Sequence, residues 1–105
     1  MSRVEKIQEM LSADPDSEML QYMLAMEHRK EGDTDAALQV FEQLQQRDPP
    51  HVPSFFMAAQ MLADDEQVEA ARALLREGIE IARSQGDSHA AGEMGDLLMM
   101  LGSAQ

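Results

Sequence analysis

RKEGDTDAALQVFEQLQQRDPP, residues 29–50, runs from a Gly-Asp turn through a pair of alanines and a Phe to an Asp-Pro-Pro stop. Between the two breaks, Ala37, Phe41 and Leu44 recur at spacings of four and three, the signature of a helix with one apolar face. Gly32 is suited to end the helix before this one, Asp33 to cap its start, and Pro49 to stop it. The segment predicts a short helix bounded on both sides by chemistry that stops helices.

The same periodicity continues outward in both directions. Upstream lie Val4, Ile7 and Leu11, then Leu20, Met23, Leu24 and Met26. Downstream lie Phe55, Ala58, Ala59 and Leu62, then Val68, Ala71, Leu75, Gly78 and Ala82, and last Ala90, Met94, Leu97, Leu98 and Leu101. Asp14-Pro15, Gly32-Asp33, Asp48-Pro49-Pro50 and Gly86-Asp87-Ser88 separate these segments; only ADDEQ, residues 63–67, must turn without Pro or Gly. No alternating run of β-branched residues competes. The spacing predicts an all-α chain of about six helices.

Composition limits what such a chain can do. At 105 residues it is read as one domain over 1–105, enough to bury about 65% of its unfolded surface. With 44% hydrophobic and 27% charged residues it has the balance of a folded protein, despite a formal net charge of -12. Twenty acidic against eight basic residues repel phosphate backbones and anionic lipid, so no nucleic-acid and no membrane partner is expected. The absence of cysteine removes disulfides, thiol nucleophiles and thiolate metal sites. The start, MSRVEKIQEML, has no continuous apolar stretch of the signal-peptide kind, and no run reaches the roughly 20 apolar residues of a membrane span; a cytoplasmic location is expected.

A longer period underlies the helical one. Asp14-Pro15 and Asp48-Pro49 lie 34 residues apart, each between two helices and at the same place in the hydrophobic pattern. A period of this size means stacked helical hairpins. It resembles the tetratricopeptide repeat family, whose pattern is carried here by Leu24-Ala25, Gly32, Ala37, Phe41 and Pro49 in one copy. Ala58-Ala59, Ala71, Leu75 and Gly78 carry it in the next, and Met94-Gly95 and Gly102 in a third. Within each hairpin, Ala25 would face Ala37 and Ala59 would face Ala71, where a longer side chain would force the backbones apart at about 1–3 kcal/mol. Leu44 stands where the family prefers a small residue, Glu66 replaces the turn Gly, His28 takes a place usually aromatic, and the second copy lacks its Asp-Pro.

The resemblance implies a right-handed superhelical stack of antiparallel hairpins. It divides the chain into a leading half-repeat over 3–17 (helix 3–13), repeats over 18–51 and 52–87, and a trailing half-repeat over 88–105 (helix 88–101). It also implies an interaction module whose concave side, lined by the first helix of each repeat, holds a peptide or partner helix. Projected onto this chain, that lining is Met19, Tyr22, Met26, Arg29 and Lys30, then Phe56, Gln60 and Asp64, then Asp96, Met99 and Met100. Its thioethers suit apolar side chains of varied shape, with Arg29 and Lys30 placed to anchor an acid. Met23, Met57, Met61 and Met94 read instead as core. Where chaperone-docking members carry a Lys, Asn and Arg clamp for a terminal carboxylate, this chain carries Tyr22, Met26, Pro53 and Met57, so no binding of acidic chaperone tails is expected.

Two other readings compete with the adaptor. A helix left without a partner at each end exposes apolar surface, with Met94, Leu98 and Leu101 expected to be partly open; a homo-oligomer could form there. The acidity and the Met-rich lining also resemble the small tetratricopeptide chaperones of bacterial secretion, although a full third hairpin is missing. Catalysis is not expected: His28, His51 and His89 have no metal spacing, neither ADDEQ nor DPDSE has calcium-loop spacing, and there is no nucleophile elbow or phosphate loop. No metal and no cofactor is assigned.

Overall fold

A computed structural model describes residues 1–102. Among the described residues all regular structure is helical: α1 (Arg3–Ala13), α2 (Glu18–Lys30), α3 (Thr34–Gln45), α4 (Val52–Asp64), α5 (Val68–Ser84) and α6 (Ser88–Gly102). They form two compact units, divided between His51 and Val52. In the first, α2 packs on both α1 and α3; in the second, α5 packs on both α4 and α6.

The helix starts are held by the residues whose chemistry marks them in the sequence. Ser2 and Glu5 form a reciprocal capping box, the Glu5 N–H donating to Ser2 Oγ at 3.1 Å and the Ser2 N–H to Glu5 Oε1 at 3.3 Å. Ser17 accepts from the Leu20 N–H, Asp33 from Ala36 and Asp87 from Ala90, each satisfying an amide that the first turn leaves without a helical acceptor.

Three turns share one geometry. The Asp33 N–H donates to His28 O at 2.9 Å, that of Gln67 to Leu62 O at 2.8 Å, and that of Asp87 to Ala82 O at 2.8 Å. Each closes a helix through a residue of positive φ: Gly32 at 82°, Glu66 at 62° and Gly86 at 75°. Glu66 thus does the work of glycine, at a backbone cost of about 1–2 kcal/mol for a residue with a Cβ. The turn that lacks Gly and Pro in the sequence is therefore the same turn as the others, held by the helices on either side.

In the first unit Ile7, Leu20, Ala25, Ala37, Phe41 and Leu44 are buried. Leu44, too large for the family's preferred residue, is wholly enclosed, and its carbonyl accepts from the His51 N–H at 3.0 Å as the Pro49-Pro50 segment turns back. In the second unit Val52, Phe55, Ala59, Ala71, Leu75, Ile79, Ala82 and Met94 form one cluster. Ala25, Ala37, Ala59 and Ala71 are all 0% exposed, as small residues between close helices should be. Met94, read both as core and as a partly open end residue, is core: it too is 0% exposed, because glycine at position 78 leaves room for its sulfur. Leu98 and Leu101 are half-buried against the same cluster.

Candidate functional site

The expected interaction residues fall on three helices. On α2, Met19, Tyr22, Met26, Arg29 and Lys30 follow spacings of three and four and share one face. Met19 is 68% exposed and Lys30 is open, while Tyr22, Met26 and Arg29 are half-buried. In the second unit Phe56 and Gln60 are half-buried and Asp64 exposed on α4, whereas Asp96, Met99 and Met100 are all exposed on α6. Phe56 packs in part against the cluster beneath it, so only one side of its ring is available.

Tyr22 is the most constrained of these residues. Its ring meets that of Phe41 edge-on, with centroids 6.0 Å apart and planes at 62°, and lies 5.1 Å from the ring of His51. Beside this aromatic group, Arg47 Nε pairs with Glu18 at 3.3 Å and Arg47 Nη1 donates to Gln21 Oε1 at 3.3 Å. Sequence reasoning placed Tyr22 on the binding face but missed Glu18, Gln21, Arg47 and His51 around it. The legible signal was the Pro-Pro stop before His51, which turns the chain back toward α2; spacing alone does not bring residues 18 and 51 together.

Burial holds the Tyr22 hydroxyl above its ordinary 10.0, partly offset by the charge of Arg29. His51 moves the other way: burial lowers it below 6.5, with Glu18 raising and Arg47 lowering it further. In the interval just below 6.5 the unfolded chain binds a proton at residue 51 that the folded chain resists. Stability from this group is therefore complete above that interval and is lost as the pH falls through it. His51→Gln is expected to remove this component, so the urea midpoint of the wild type should fall more between about pH 7.5 and 5 than that of the variant. Equal falls in the two proteins would show that His51 does not contribute.

His89 Nε2 lies 3.1 Å from Glu93, and among the described residues no three His, Cys, Asp or Glu side chains are grouped to hold a metal ion. Among the described residues no helix is long and apolar enough to cross a membrane. What the helices offer is surface: among the described residues the exposed large hydrophobics are all Met, namely Met1, Met10, Met19, Met99 and Met100.

The hairpins, the shared turns and the buried alanines at matching places have a counterpart among known families: a tetratricopeptide repeat model matches residues 28–94. The chain belongs to the tetratricopeptide repeat family. Solved structures agree. A tetratricopeptide repeat domain protein from Salinibacter ruber, solved by NMR, is 26% identical with a TM-score of 0.81, covering 87% of this chain and 92% of its own. A crystal structure of the tetratricopeptide repeat domain protein from the same organism is 26% identical at a TM-score of 0.76, covering 85% of this chain and 100% of its own. A Bordetella parapertussis protein is 22% identical at a TM-score of 0.83, covering 99% and 90%, and shares the fold. No curated protein matches the chain in sequence. Tetratricopeptide repeats generally mediate protein–protein interaction and are generally not catalysts.

Proposed function

We propose that this tetratricopeptide protein is a non-catalytic, cytoplasmic adaptor that binds an apolar or amphipathic segment of a protein partner. The binding residues are those of the first helices: Met19, Tyr22, Met26, Arg29 and Lys30 in one unit, and Phe56, Gln60, Asp64, Asp96, Met99 and Met100 in the other. The observation that supports this most directly is the exposure of Met19, Met99 and Met100, at 68%, 70% and 67%. Met99 and Met100 are exposed side by side on α6 and Met19 on α2, and the flexible thioether adapts to varied partners. Arg29 and Lys30, closing α2, add the cationic end that an acidic group beside the segment would meet.

The test uses residues whose removal leaves the packing alone. Tyr22 is unsuitable because it supports Phe41. Met19→Ser/Lys30→Gln/Met100→Ser is expected to keep the wild-type circular dichroism and to lose at most about 1 kcal/mol of stability, from the charge removed at the end of α2, since all three side chains are exposed. In capture from a bacterial lysate the wild type should retain a protein that the variant loses. If both baits retain the same proteins, the reading is wrong.

A further inference from the structure

The chain holds ten methionines and no cysteine, so its softest nucleophiles are thioether sulfurs. Packing divides them sharply. Met61 and Met94 are buried, and a Cβ added at Gly78 would lie 2.7 Å from Met94 Sδ, which leaves no space on that side of the sulfur for one more atom. Met23, Met26 and Met57 are half-buried. Met19 on α2 and the adjacent Met99 and Met100 on α6 are exposed. A small polar oxidant dissolved in water can reach these three side chains, and it cannot reach the two buried ones.

We propose that Met19, Met99 and Met100 are a modification site for hydrogen peroxide, oxidised to sulfoxides while the fold is kept, and that this change switches off binding. The switch rests on the protein-binding reading above and adds its regulation. The step balances with peroxide as the oxidant. A sulfur lone pair attacks one peroxide oxygen, the S–O bond forms as the O–O bond breaks, and the sulfur gives up two electrons; the departing hydroxide takes the remaining proton and leaves as water. A flexible apolar side chain thereby becomes a polar one. On α6 the new oxygen finds no cationic donor in its own segment, because residues 84–105 contain neither Lys nor Arg and Asp96 stands one turn before Met99 and Met100. The sulfoxides stay hydrated, and an apolar segment set against them would strip that water and return no hydrogen bond. The change is reversible: methionine sulfoxide reductases, one for each sulfoxide epimer, remove the oxygen as water while two thiols of the reductant become a disulfide. With no cysteine of its own, this chain depends on such an enzyme for repair.

The probe is dilute hydrogen peroxide, added to the whole chain, removed by desalting, and followed along a time course by peptide mass mapping. Met19, Met99 and Met100 should each gain one oxygen about tenfold or more faster than Met61 and Met94, with the circular dichroism of the untreated chain retained. Equal rates, or unfolding as the three are converted, overturn the proposal. The oxidised chain then serves as bait in lysate capture, beside the untreated chain, the oxidised chain repaired by the two reductases, and Met19→Leu/Met99→Leu/Met100→Leu. The leucines keep the apolar contact and resist oxidation, while Met1 and Met10, exposed but outside the binding residues, remain oxidisable as internal controls. Oxidised wild type should lose the protein that the untreated chain retains, repair should restore it, and the leucine variant should retain it before and after peroxide. Retention by the oxidised wild type, or equal loss from the leucine variant, overturns the switch. If the untreated chain captures nothing, the protein-binding reading fails and the switch with it, while the mass map still decides the modification site.

Discussion

Phe41→Ala is expected to remove about 3–5 kcal/mol of stability, the largest loss from any truncation to alanine in the first unit. Phe41 is 0% exposed, so its whole ring is transferred out of water on folding and its deletion leaves a cavity between α2 and α3. The edge-on contact with Tyr22 is lost as well, a further ~0.5–1.5 kcal/mol for an aromatic pair. Since a whole domain has only about 5–15 kcal/mol in hand, the variant should lose a large part of its stability. Urea titration by circular dichroism measures the loss, and amide hydrogen exchange locates it: protection should disappear first in α2 and α3. Tyr22→Phe, which keeps the ring contact, should change little. A loss under about 1 kcal/mol for Phe41→Ala would mean that the site collapses around the missing ring, and that the small residues Ala25 and Ala37, not Phe41, dominate the hairpin.

Much of this fold was legible because its determinants are local. The 34-residue interval between Asp14-Pro15 and Asp48-Pro49, the three-and-four spacing, and the capping residues Ser17, Asp33 and Asp87 all act over a single helix or turn. What could not be read depends on neighbours distant in sequence. Glu66 takes a left-handed conformation because the α4 and α5 helices demand the turn, not because its own chemistry favours it. Met94 can be read either as core or as an end residue with no partner, and the choice between the two follows from a glycine sixteen positions earlier. The polar group around Tyr22 joins Glu18, Arg47 and His51 from the two ends of the hairpin, and no motif records that meeting. Of the proposed interaction residues, the helix faces were legible in the sequence, while the division between exposed Met19, Met99 and Met100 and the half-buried Tyr22 and Phe56 came only from packing.

Gly78→Ala is expected to destabilise the second unit by about 1–2 kcal/mol, against the direction that helix propensity alone would give. Alanine in place of a mid-helix glycine gains about 1 kcal/mol from propensity. At position 78, however, the added Cβ would lie 2.7 Å from Met94 Sδ, 2.7 Å from Phe55 Cβ and 3.0 Å from Phe55 Cγ. The thioether can turn aside, but Phe55 Cβ is fixed to the backbone of α4 and its ring is 0% exposed, so relief requires moving one helix against another. Overpacking of that kind costs about 1–3 kcal/mol and outweighs the propensity gain. The same exchange on α6 should have the opposite sign: Gly95→Ala meets nothing within 4 Å and keeps only the propensity term, a gain of up to about 1 kcal/mol. Thermal melts of the two variants decide the matter. Two melting temperatures shifted in opposite directions would establish that α4, α5 and α6 meet at Gly78 and that the glycine side of α6 is open, whereas a rise in both would mean that Phe55 and Met94 yield and that close packing does not require glycine at position 78.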